Sequence, residues 1–215
     1  MNKVFWHESD NFGDSITPYI LKKIGVEFEY SRPGTEENFI MCGSILPACN
    51  ENSIIWGSGI AQMHEDIVWT NPKQILAVRG KYTRQICLAK GFDCPAVYGD
   101  PGQILPYLFY PNIEHKARVG YVYHMADNVK GDIDIKLPVE EFITKMLEYE
   151  EIRTSSLHAY IVAESYGLKV KMIPSINVIG QELKFRDYQE TPYSIPEFIK
   201  VFPFKNQYYD YRKTL

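Results

Sequence analysis

The sequence predicts an α/β fold: two Rossmann-like domains facing a cleft, in a GT-B-like arrangement. Short apolar runs alternate with amphipathic, helix-length segments, the pattern of parallel sheets joined by right-handed crossovers. Most of those runs stop at glycine followed by a polar or charged residue. The alternation comes in two blocks, parted by the polar stretch Tyr110-Pro-Asn-Ile-Glu-His-Lys116. These features place an N-terminal domain over residues 1–112 and a C-terminal domain, with an irregular tail, over 116–215.

In the first block Val4–Trp6 reads as a strand, Asn11-Phe-Gly-Asp14 as a turn and Ser15–Ile24 as a helix closed by Gly25, with Pro18 suited to an early helical position. Strands follow at Glu27–Tyr30, Asn38–Cys42, Ser53–Trp56 and Gln74–Val78; the second stops at Gly43-Ser44 and the third at Gly57-Ser58-Gly59. A helix from Gly80 to about Lys90 ends at Gly91, and Ala96–Tyr98 is a last strand before Gly99-Asp100-Pro101. The second block predicts strands at Arg118–Tyr123, Asp132–Lys136, Ile152–Thr154 and Val170–Ile173, with a helix over Pro138–Leu147. A further helix begins near His158, where Thr154, Ser155 and Ser156 supply N-cap hydroxyls, Leu157 and Ile161 begin a buried stripe, and Gly167 takes the C-cap. Gln181–Pro192 reads as polar and irregular, and Ile195–Val201 and Asn206–Lys213 as short helices.

The chain has 215 residues, 45% of them hydrophobic and 23% charged, enough for a sizeable core. A net charge of −4 and the lack of a basic run argue against a nucleic-acid partner. No apolar stretch has membrane-spanning length, and the N-terminus turns polar too early for a signal peptide. Cys42 and Cys49, and likewise Cys87 and Cys94, stand seven apart. That spacing fits no common zinc motif, and the four read as reduced thiols of a cytoplasmic protein, with no metal and no cofactor expected. The 16 tyrosines suit either a sugar-handling surface or ordinary core packing.

In doubly wound sheets, ligands bind at the C-terminal strand ends. The polar residues at those ends are therefore the site candidates: Asn11, Asp14, Gly57, Ser58, Arg79, Asp100, His124 and the Thr154–His158 turn. Taken singly, Asp14, Ser44 and Asp100 read as helix caps, and the glycines as tight turns. Arg79 and Arg84 flank a helix N-terminus, where a cation is disfavoured by the dipole unless an anion sits there too. Arg153 beside the Ser155-Ser156 turn is either an anion ligand or the partner of Glu150 or Glu151. His158, in the first turn of its helix, meets free N–H groups that attract anions. Neither G-x-G-x-x-G nor a P-loop is present.

Together these segments resemble the polysaccharide pyruvyltransferase family, in its bacterial exopolysaccharide and capsule branch. Asn11-Phe-Gly-Asp14, Gly43-Ser-Ile45, Trp56-Gly-Ser-Gly59, Val78-Arg-Gly-Lys-Tyr-Thr-Arg84, Gly99-Asp-Pro101, Val119-Gly-Tyr-Val-Tyr-His124, Ser155-Ser-Leu-His-Ala159 and Lys184-Phe-Arg-Asp-Tyr188 are similar to family motifs and fall in family order. The resemblance implies transfer of pyruvate from phosphoenolpyruvate, as co-substrate, onto a sugar or lipid-linked glycan as a cyclic ketal, with release of phosphate. It implies peripheral association with glycan-assembly enzymes. By the same resemblance Arg79, Ser155 and Ser156 hold the donor, His158 is the acid/base group, and His124 and Asp14 lie nearer the acceptor. Many members carry arginine where this chain has Ser156, so another cation must grip the donor, with Arg84 and Arg153 as the candidates. The chain is short for the family, which implies a thinner acceptor site. The competing readings are a GT-B glycosyltransferase using a nucleotide sugar, with Glu164 gripping the ribose, and a non-catalytic carbohydrate- or anion-binding relative.

Overall fold

In the computed structural model, which describes residues 1–62 and 69–214, the protein is an α/β fold with two parallel sheets. His64 lies outside the described residues. The first sheet holds β1 (Asn2–Phe5), β2 (Phe28–Tyr30), β3 (Asn38–Ile40), β4 (Ser53–Trp56) and β5 (Gln74–Ala77), in the order β2-β1-β3-β4-β5. All of its pairings are parallel, and the order reverses direction at β1, where β2 goes to one side and β3 to the other. Helix α1 (Phe12–Lys23) links β1 to β2, and α2 (Lys81–Ala89) follows β5. The second sheet is β6 (Ala117–Val122), β7 (Tyr149–Thr154) and β8 (Lys169–Met172), again parallel, with α3 (Val139–Met146) and α4 (Leu157–Ser165) as crossovers. Three helices close the chain: α5 (Gln181–Gln189), α6 (Ile195–Lys200) and α7 (Lys205–Lys213).

The structure corrects several expected elements. Helix α1 begins at Phe12, so Asn11 is its N-cap, accepting from the Gly13 amide, and Asp14 lies in its first turn. Pro18 then sits mid-helix, where it withholds an N–H from the Asp14 carbonyl. The expected strand at Ala96–Tyr98 is a single bridge between Tyr98 and Val78. Asp132–Lys136 forms turns and no strand, because the Asp132 carboxylate takes the Tyr121 amide that a ladder would have used, at 2.9 Å. Ile133 and Ile135 still enter the core. The supposedly irregular Gln181–Pro192 contains α5, whose buried stripe is Gln181, Phe185 and Tyr188.

A single apolar cluster runs through both halves. Phe12 of α1 stacks on Phe142 of α3, with ring centroids 3.9 Å apart. The chain's end then crosses back to the first sheet, although it follows the second in sequence. Phe198 stacks on Trp56 at 4.0 Å and accepts the indole N–H through its carbonyl at 3.0 Å, while Phe204 meets Phe39 at 4.8 Å. Fully burying an aromatic side chain contributes about 1.5–3 kcal/mol, so α6 and α7 are part of the N-terminal half's core.

Candidate functional site

A cavity of about 360 Å³ opens where the C-terminal ends of both sheets meet. The first half lines it with His7, Ser9, Asn11, Asp14 and the Gly43–Ile45 turn. The second half lines it with the His124–Ala126 corner, the start of α4 and Lys184 of α5.

Local structure explains each placement. Gly43 has φ of +116°, a conformation that excludes most side chains, and its carbonyl accepts the Ser58 hydroxyl and the Gly59 amide, both at 2.9 Å. Ser58 and Gly57 therefore shape the turn from behind and do not line the cavity. The Gly57 φ of +86° and the close approach of Pro101 and Phe198 account for glycine there. Ser156 caps α4 by accepting the Ala159 amide, and Thr154 Oγ1 accepts the Ser156 amide at 2.9 Å. Ser155 does not reach the cavity. Its hydroxyl accepts the His124 amide at 2.8 Å and donates to Asp127, tying the end of β7 to the end of β6. His124 caps a short 3₁₀ turn, with Nδ1 accepting the Ala126 amide at 3.1 Å; burial, and then the Lys184 charge, lower its pKa.

The expected arginines go elsewhere. Arg79 is fully buried behind the cavity wall and donates to Asp187 Oδ2 (3.1 Å), Ser44 Oγ (2.7 Å) and the Ile60 carbonyl (2.7 Å). It fixes Ser44, which lines the cavity, but does not line the cavity itself. Arg84 turns to the Cys94 carbonyl at 3.0 Å and does not line the cavity. Arg153 pairs with Glu151 at 2.7 Å on the second sheet, its ion-pair alternative. Lys184, on the helix the sequence concealed, is the cation that lines the cavity. Burial, then Arg79, lowers its pKa to about 8, with Asp14 opposing. Its signal was the i, i+4, i+7 stripe of Gln181, Phe185 and Tyr188 on the same helix.

His158 sits in the first turn of α4. Its Nδ1 lies against Gly13, between Asn11 and Asp14 in sequence; a Cβ on Gly13 would come within 2.2 Å of that nitrogen. Its Nε2 is buried without a hydrogen-bond partner and lies 3.7 Å from Asp100 Oδ2, which is also buried and unpartnered. Asp100 is thus behind His158 and outside the cavity, with Oδ1 accepting the Gly102 amide at 2.8 Å. Burial pushes the Asp100 pKa up to about 6, against the Gly102 amide and Arg79. Burial, then Arg79, Lys184 and His124, pushes His158 down to about 3, so the free imidazole is neutral. Asp14, held by the Ser9 hydroxyl at 2.5 Å, is raised by burial. All four cysteines are free thiols, and Cys42 stands beside Asp100, with Sγ 3.8 Å from Oδ1.

The arrangement suits a small anion held by one lysine and a helix N-terminus, with the neutral His158 imidazole beside it. Among the described residues no helix is long and apolar enough to cross a membrane. No family model matches the chain. Over 170 residues, 70% of its length, the chain is 29% identical to an uncharacterized protein of Acanthamoeba polyphaga mimivirus, and it spans 58% of that protein. Its fold is similar to the crystal structure of an uncharacterized protein from Klebsiella pneumoniae, with a TM-score of 0.52 and 15% identity over 90% of this chain and 92% of the other. That likeness is one of fold.

Proposed function

We propose that the chain is a cytoplasmic, phosphoenolpyruvate-dependent pyruvyltransferase acting on a sugar or glycan, with its two sheets set GT-B-like about the cavity. The observation that carries this reading is the meeting of Lys184, the α4 N-terminus, His158 and Asp14 in one cavity lined by both halves. Lys184 supplies the cation that the Ser156 position lacks, and the α4 amides supplement it with oriented donors.

The reaction consumes two sugar hydroxyls. A proton goes to the donor's methylene carbon, and the first hydroxyl oxygen bonds to the cation-like C2 as it loses its proton. The second hydroxyl then takes the place of phosphate on C2, and its proton leaves with the phosphate. Asp14, whose pKa burial raises, is suited to protonate the methylene. His158, neutral before ligand arrives, is suited to accept a hydroxyl proton at Nδ1, while Nε2–H faces the Asp100 carboxyl that would stabilise the imidazolium.

The nucleotide-sugar reading loses its expected anchor. Glu164 accepts from the Tyr188 hydroxyl at 2.6 Å and lines a separate cavity. The test is incubation with phosphoenolpyruvate and a panel of galactosides, glucosides and mannosides, reading phosphate and product mass. Sugar-dependent phosphate release with a pyruvyl-ketal mass gain, lost in His158→Ala, is expected. Donor binding without release across the panel would favour a non-catalytic relative. Absence of both donor binding and phosphate release would overturn the reading.

A further inference from the structure

Behind the cavity, three chemically different ligand groups converge from three separate strand ends. Cys42 follows β3, Asp100 follows the Tyr98 bridge, and His158 opens α4. Their Sγ, carboxylate oxygen and imidazole nitrogen all lie within 4.8 Å of one another. Two of these atoms, Asp100 Oδ2 and His158 Nε2, are buried, unpartnered and 3.7 Å apart. Leaving such buried groups unsatisfied is unfavourable, and their separation is too long for the hydrogen bond that would relieve them. Asp100 Oδ1 is already committed to the Gly102 amide, so the loop is held while Oδ2 stays available.

We propose that Cys42 Sγ, Asp100 Oδ2 and His158 Nε2 form a site for a borderline divalent metal ion of the zinc class. A tetrahedral ion with Zn–S of about 2.3 Å and Zn–N and Zn–O of about 2.0–2.2 Å needs ligand atoms roughly 3.3–3.7 Å apart. The carboxylate and imidazole stand at that separation, and closing the rest takes a shift of about an ångström. A thiolate, a carboxylate and a neutral imidazole form a donor set preferred by such ions over magnesium or calcium. The two anionic ligands neutralise the dication, and the neighbouring Arg79 is balanced by Asp187. Three protein ligands leave the fourth position of a tetrahedral ion to water or another small ligand.

The inference stands apart from the pyruvyl reading. A metal on Nε2 displaces the Nε2–H of that scheme, so metal-loaded protein would lose the proton relay while keeping the site. The test uses the full chain, stripped with a chelator and titrated with Co²⁺. One equivalent should produce a thiolate-to-cobalt charge-transfer band and tetrahedral ligand-field bands, and Zn²⁺ should displace them. Cys42→Ser should abolish the charge-transfer band, with Cys49, Cys87 and Cys94 still present as internal controls. Asp100→Asn, which keeps an oxygen for the Gly102 cap, should weaken Co²⁺ binding at least tenfold while circular dichroism stays native. Absence of the band with the wild-type chain, or its persistence at full strength in Cys42→Ser, would overturn the proposal.

Discussion

Asp187→Ala should be among the most damaging single substitutions in the chain. Arg79 and Asp187 are both wholly buried, and the carboxylate accepts from Arg79 Nε (3.1 Å), the Thr83 amide (2.9 Å) and the Thr83 hydroxyl (2.6 Å). Removing the carboxylate strands a guanidinium in the interior. Breaking a buried pair from one side costs about 3–5 kcal/mol, and the orphaned Thr83 groups add to that without full additivity. With a urea m-value of about 2 kcal/mol/M, a cost of that size lowers the unfolding midpoint by about 1.5–2.5 M. Urea titration followed by tryptophan fluorescence reads this directly. The double variant Arg79→Met/Asp187→Leu should recover much of the loss, because neither charge is then left buried alone. A midpoint drop under about 0.5 M at unchanged m-value would mean the pair behaves like a surface contact, and the account of the wall behind the cavity would be wrong.

Other expectations can be checked alongside. Because Lys184 is lowered to about 8, phosphoenolpyruvate affinity measured by calorimetry should fall as pH rises through that value, up to about tenfold per pH unit; Lys184→Arg, which stays charged, should remove the break, and its retention would assign the titration elsewhere. The same depression means the folded state binds fewer protons than the unfolded chain between about 8 and 10.5, so Lys184 makes stability rise with pH across that window. Gly13→Ala should gain about 1 kcal/mol of helix propensity but push the His158 ring away, changing its imidazole NMR shifts; unchanged shifts would contradict the contact between Gly13 and Nδ1. Phe198→Ala should cost about 3–5 kcal/mol and alter Trp56 emission, whereas a loss under about 1 kcal/mol would make the C-terminal tail an accessory to the core.

What the sequence could convey follows a physical line. The α4 turn was legible because local signals bracket it, with Ser156 capping one end and Gly167 closing the other. The clustering of polar residues at strand ends was legible because parallel topology places those ends on one edge. The direction of a long side chain was not. Arg84 and Arg153 announce charge, but only the folded packing turns one toward the Cys94 carbonyl and the other toward Glu151. Helix α5 stayed hidden because its inward face carries Asp187, a polar residue at a buried position, which makes sense only once Arg79 stands opposite it. The Ile133/Ile135 alternation reported burial correctly and strand pairing wrongly, since a carboxylate took the ladder's place.

Helix α5 links stability to binding in a way that separates the two experimentally. Lys184 and Asp187 stand three residues apart on it, so one helix supplies the cavity's cation and the lock on Arg79. Arg79 in turn holds Ser44, on the opposite wall of the cavity, at 2.7 Å. Loosening the Asp187 lock therefore moves both walls, and Asp187 variants should lose anion affinity together with stability. Lys184→Met removes the charge without touching the lock, so it should lose affinity while the unfolding midpoint stays put or rises, because a half-buried ammonium is replaced by an apolar side chain of similar length. If Lys184→Met instead kept its affinity for phosphoenolpyruvate, the helix N-terminus alone would be holding the anion, and α5 would serve the cavity only as a wall.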